Sequence, residues 1–143
     1  MVKKMIIDLS FVINSGMSVF PNDPEIKFEP FSLIANKGLN LTKIELGTHS
    51  GTHIDAPSHF LLNGETIDKI KLERCWGNSI VIDVSNNLRE RYITKDILSS
   101  YQKELLDLKG VLFKTGWNKK WGSGKYFENY PILSEEAAHY LLN

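Results

Sequence analysis

Three of the four histidines in this chain fall within one eleven-residue window, His49-Ser-Gly-Thr-His53-Ile-Asp55-Ala-Pro-Ser-His59. Histidine is a common metal ligand and the usual general base near neutral pH. Two imidazoles and a carboxylate suit zinc or a similar divalent ion. Catalytic zinc sites typically take three protein ligands and leave a position for water, whose pKa the ion lowers toward neutrality. His49, His53 and Asp55 supply such a set, and His59 is then left to move protons. The competing reading is a polar loop whose histidines bond to backbone or water.

The elements around the window must gather these groups. His49, His53, Asp55 and His59 are all odd-numbered, so an extended chain places them on one face. A helix would also pair His49 with His53. Gly51, β-branched Thr52 and Ile54, and Pro57 work against a helix, while Gly51 and Pro57 also argue against a regular central strand. The reading is an irregular extended stretch leaving a strand that ends near Leu46.

The window resembles the HxGTHxDxPxH signature of the putative cyclase family, which includes bacterial kynurenine formamidase and isatin hydrolase. The resemblance continues outside it. Ile7-Asp8-Leu9-Ser10 with Phe20-Pro21-Asn22-Asp23-Pro24 is similar to the family's "DLS…PGDP" stretch, with Asn22 in place of Gly. Val81-Ile82-Asp83-Val84 resembles the strand after the metal motif. Val111 to Trp117 resembles "LLRTGW", and Tyr130-Pro131 with Leu133-Ser134 resembles a "YPGLS" helix start. The resemblance implies an α/β fold, a swivelling β/β/α-type domain with mixed sheets and flanking helices.

It also implies roles. His49, His53 and Asp55 are the metal ligands, Asp55 bridges to a second metal, and His59 is the catalytic proton donor and acceptor. Phe20 is the substrate-binding position, where formamidases often carry Trp. The implied cofactor is a divalent metal, zinc first and manganese second. Family members continue past the helix starting near Ser134 and add a strand, a His and a Glu. The resemblance therefore implies that C-terminal elements are missing here and that the second metal site is incomplete.

The implied function is hydrolysis of an amide C–N bond by an arylformamidase, turning N-formylkynurenine into kynurenine and formate in tryptophan catabolism. The alternatives are an isatin hydrolase-like cyclic amide hydrolase, or a non-catalytic member that only binds metal or associates. The implied partners are an aryl amide substrate and further copies of the chain, as a dimer or tetramer.

Composition agrees with one globular domain over residues 1–143, with 42% hydrophobic and 24% charged residues. Seventeen basic residues balance seventeen acidic ones, so no nucleic-acid partner is expected. No apolar run is long enough for a membrane span. Asp8 interrupts the first apolar run too early for a secretion signal. A single cysteine, Cys75, excludes an internal disulfide and suits a reducing compartment, so a cytoplasmic location is expected. Cys75 itself reads as partly buried and structural, and His139 as a structural or surface histidine.

The expected elements are a short buried strand at Met5–Leu9, a turn-rich loop from Ser15 to Pro24, and a strand from Ile26 to Ile34 broken by Pro30. A strand over Asn40–Leu46 and a turn at Asn63-Gly64 follow. An apolar strand over Ser79–Val84, a helix from Thr94 to about Leu108 ended by Gly110, and a strand from Val111 make a βαβ unit. The aromatics between Gly116 and Tyr130 form either a wall over the active site or a loop folded onto its own aromatic core. Ser134 caps a last helix whose apolar face implies self-association.

Overall fold

The computed structural model describes residues 5–142. The chain forms two compact units, one running to Gly64 and the other from Glu65.

In the first unit, β1 (Lys27–Ser32) pairs antiparallel with β2 (Leu41–Glu45). The period-2 reading of β2 holds. Lys43 and Glu45 lie opposite Glu29 and Lys27, with ion pairs of 3.8 Å on one face, and Phe28 lies opposite Ile44 on the other. The connection is a single helical turn, α1 (Ile34–Lys37), closed by Gly38 at φ 74, whose N–H donates to the Ile34 carbonyl. Pro30 does not break β1 as expected. The strand runs through it with a register slip between Pro30 and Ser32, which an edge strand tolerates. The strand also ends at Ser32, so Ile34 opens a helix instead of extending a strand.

The strand expected at Met5–Leu9 does not form. These residues are irregular and exposed, Ile6 completely so at 100%. No strand of the described residues runs beside them, and an apolar run without a partner has no ladder to join. The loop from Ser15 to Pro24 is turn-rich as read. Within it Asn22 stands at φ 74, which explains why the resembled stretch carries Gly there: Asn is among the few other residues that tolerate this backbone.

In the second unit, β3 (Ser79–Asp83) and β5 (Gly110–Lys114) pair in parallel, with α2 (Lys95–Ser99) and α3 (Gln102–Leu105) between them in sequence. The βαβ expectation is met. β4 (Tyr92–Ile93) pairs in parallel with β6 (Ile132–Leu133), and α4 (Glu135–Leu142) follows. Ile82, Val84, Ile93, Leu98 and Ala137 form the buried core. Among the described residues, three two-stranded sheets, one antiparallel and two parallel, with helices beside them make the fold α/β, as expected.

The single helix read from Thr94 to Leu108 is two. Ser99 and Ser100 both donate their hydroxyls to the Asp96 carbonyl, at 2.9 and 3.3 Å. Such back-bonding competes with the helix ladder, and the helix stops before Tyr101 at φ −114, ψ 17. Gly110 does not end a helix. It opens β5 opposite Ser79, so closely that a Cβ would sit 2.9 Å from the Ser79 hydroxyl. Ser134 caps α4 as read, accepting the Ala137 N–H at 3.2 Å.

The aromatic stretch folds onto itself. Trp117 donates its indole N–H to the Tyr126 carbonyl at 2.8 Å, and the Tyr126 ring meets Trp121 and Phe127 edge-on. Cys75, expected partly buried, is exposed at the end of a short turn. Its neighbours in that stretch are exposed too, so nothing there covers it. His139 is the surface histidine expected, 3.8 Å from Glu135 on its own helix.

Candidate metal centre

Beyond β2 the chain turns at once. The Ser50 N–H donates to the Gly47 carbonyl at 3.2 Å, and Gly51 adopts φ 70, a backbone that favours glycine. The extended path expected here is therefore corrected. Ten extended residues would separate His49 from His59 by on the order of 30 Å, yet the two rings stack with centroids 3.7 Å apart. Folding back, rather than strand alternation, brings the groups together. The return is made by a 3-10 turn over Pro57–His59, started by a proline suited to that position.

Three atoms converge at the centre of this loop. His49 Nδ1 lies 2.8 Å from Asp55 Oδ1 and 3.2 Å from His53 Nε2, and His53 Nε2 lies 3.2 Å from Asp55 Oδ1. Ligands about 2.0–2.1 Å from a tetrahedral ion are roughly 3.3 Å from one another. Two edges of the triangle match that spacing to about 0.1 Å and the third is shorter by about 0.5 Å, so the donor set fits a small divalent cation.

One of these rings is held from behind. His53 Nδ1–H donates to the Gly51 carbonyl at 2.9 Å. That bond keeps the proton on Nδ1 and turns the Nε2 lone pair toward the other two atoms. Metal-binding histidines are commonly oriented this way.

The His59 ring stacks on that of His49, and it also packs against Phe60, with ring centroids 4.1 Å apart. One of its ring nitrogens lies within 4.8 Å of ligand atoms of His49 and Asp55. The His49–Asp55 pair can thus be completed by His53 or by His59. His53 makes the tighter triangle and has the locked tautomer; His59 stands further out. Phe20 lies in the loop before β1, half-exposed, at the start of a turn closed by the Asp23 N–H on its carbonyl.

Sequence reasoning missed several supports. The Gly51 carbonyl is a backbone acceptor that no side-chain pattern announces. Phe60 follows the motif without belonging to it. Gly64, read only as a turn, packs so closely on the Pro57–Ser58 peptide that a Cβ would overlap its backbone atoms. That close approach holds the turn carrying His59.

Residues 7–143 match the family described as putative cyclase. The chain belongs to that family. Curated relatives include the kynurenine formamidase of Bacillus thuringiensis subsp. konkukian (strain 97-27), 31% identical over 103 residues, covering 70% of this chain and 49% of the relative. That of Bacillus cereus (strain ATCC 14579) is 29% identical over 136 residues, covering 94% and 62%. Among solved structures, an isatin hydrolase bound to the product analogue thioisatinate superposes with a TM-score of 0.76 at 25% identity, covering 95% of this chain and 62% of that one. A potential metal-dependent hydrolase with cyclase activity gives a TM-score of 0.70 at 29% identity, covering 94% and 61%. The chain thus spans about half to three fifths of the length of these relatives. Among the described residues no helix is long and apolar enough to cross a membrane.

Proposed function

We propose that this chain carries the metal-binding part of an amide hydrolase whose substrate is an aryl formamide. The observation that carries the reading is the triangle of His49 Nδ1, His53 Nε2 and Asp55 Oδ1, with edges of 2.8 to 3.2 Å. These three residues would hold the ion; two imidazoles and a carboxylate favour zinc, with manganese as the second choice. When bound, such an ion polarises a carbonyl and acidifies water. His59, whose ring stacks on that of His49, would accept a proton from the attacking water and return it to the leaving nitrogen as the C–N bond breaks. The products are formate and an aromatic amine. Phe20 offers an exposed ring for stacking the aryl group.

One observation favours another reading: the likeness to isatin hydrolase supports a cyclic amide as substrate. We also propose self-association, supported by the exposure of Leu106 and Leu142; a monomer in analytical ultracentrifugation would refute it.

The test is metal analysis of the purified chain, followed by hydrolysis assays on an aryl formamide and on isatin. The expected result is a retained divalent ion and faster formamide cleavage. His59→Ala should keep the ion and lose about 10²–10⁴-fold in turnover. Unchanged turnover in that variant would remove His59 from the chemistry. Retained metal without hydrolysis would select the binding-only reading.

A further inference from the structure

We infer that the segment from Phe11 to Met17 positions a metal ligand by clamping the Gly51–Thr52 stretch, whose Gly51 carbonyl sets which nitrogen of His53 is free to bind a cation. The consequence for metal rests on the function proposed above; the clamp itself rests on packing and hydrogen bonding.

Three contacts make the clamp. The Phe11 N–H donates to the Thr52 hydroxyl oxygen at 3.3 Å. The Met17 N–H donates to the Asn14 carbonyl at 3.2 Å, closing a turn between Ile13 and Met17. Both side chains then cover Gly51, where a Cβ would lie 3.1 Å from Ile13 Cγ1 and 3.4 Å from Met17 Cε. Gly51 is thus held on one side by apolar side chains, and its carbonyl accepts the His53 Nδ1–H.

The chemistry follows from proton counting. A neutral imidazole carries one N–H. Held on Nδ1, it leaves a lone pair on Nε2 facing His49 and Asp55. If the Gly51 peptide turns away, the ring is free to place its N–H at the centre, where a cation would have to displace it. Ile13, Met17 and Thr52 are therefore positioning residues that touch neither cation nor substrate.

The experiment is nitrogen-15 NMR of the histidine rings in the metal-free 143-residue chain, paired with cobalt(II) titration read by its visible absorption. The wild-type chain should show His53 as the Nδ1–H tautomer. Ile13→Ala and Thr52→Val should give mixed tautomers and bind cobalt about tenfold more weakly, the lower end of what losing an orienting partner costs. Thr52→Ser keeps the hydroxyl and should restore both. Gly51→Ala should show the larger loss, and because it also strains a left-handed backbone, Ile13→Ala keeps the test independent of folding. Wild-type tautomer and affinity in both Ile13→Ala and Thr52→Val would overturn the clamp. A locked tautomer in a wild-type chain that binds no cobalt would support the clamp and overturn the metal reading.

Discussion

Among the described residues, the first unit gathers its chemistry into one loop and buries little around it, whereas the second buries much and gathers no comparable set of ligands. Of the six buried apolar side chains among the described residues, five lie in the second unit and only Ile26 in the first. The two regions hold their shape by different means. In the second, side chains from β3, β4, α2 and α4 exclude water together. In the first, the shape comes from backbone turns, glycines at close approach, and polar atoms drawn to a single point. A loop of that kind gains rigidity when a cation replaces hydrogen bonds with stronger bonds, and binding then adds directly to stability.

The largest expected effect follows from that contrast. His49→Ala removes the nitrogen that makes the shortest contact of the triangle, 2.8 Å to Asp55 Oδ1, and one of its two 3.2 Å contacts. It should weaken metal binding by more than about a hundredfold, beyond the loss of an orienting partner alone. A metal-buffer competition measures it. All three tryptophans, Trp76, Trp117 and Trp121, lie in the second unit, so tryptophan fluorescence reports that region separately. In the metal-free chain its unfolding midpoint should not move. A shifted midpoint would break the division of labour drawn here.

Next in size is Leu98→Ala, which opens a cavity at a fully buried position. It should cost about 2–5 kcal/mol, depending on how far the site collapses. Urea unfolding followed by tryptophan fluorescence measures it. A loss below about 1 kcal/mol would mean that the second unit is not held by this core. Ser134→Ala should cost about 1 kcal/mol, since the hydroxyl accepts an otherwise unpaired N–H in the first turn of α4. Ser134→Asp should restore most of it, and equal stability of all three proteins would show the cap to be idle.

The same contrast explains what was legible in the sequence. The histidine loop is local: His49 to His59 are near in sequence, and only a few residue types make good ligands. That these side chains cluster could be read, but not the path that brings them together. Alternation predicted a shared face, whereas Gly51 at φ 70 and the turn at Pro57 bring His49 and His59 into contact. Nothing in residue type revealed that a backbone carbonyl orients His53. In the second unit, the apolar strands and the Ser134 cap were legible because period and capping are local signals. The break before Tyr101 was not, since the apolar pattern continues through it while Ser99 and Ser100 bond back to Asp96. The Met5–Leu9 strand failed for a different reason: strand propensity does not supply a neighbouring strand.

The smallest expected effect sharpens the comparison by testing a polar contact in the unit that relies on burial. Lys114 donates to Asp83 Oδ2 at 2.6 Å across the ends of β3 and β5, and the Ser85 hydroxyl and N–H both donate to Oδ1. The Lys114 bond, then the Ser85 bonds, hold the Asp83 carboxyl well below the usual carboxylate range. The folded state therefore binds this proton less readily than the unfolded chain. The contribution to stability is present above the ordinary value of about 3.9 and is lost as the pH falls from there toward the depressed native value. Both side chains are about half-exposed or more, so solvent and salt screen the pair and keep its worth small. Lys114→Met should thus lower the urea midpoint slightly at pH 6, less at pH 3, and less in high salt. A gap that stays constant across pH and salt would mean that Lys114 acts through the packing of its aliphatic stem and not through its charge.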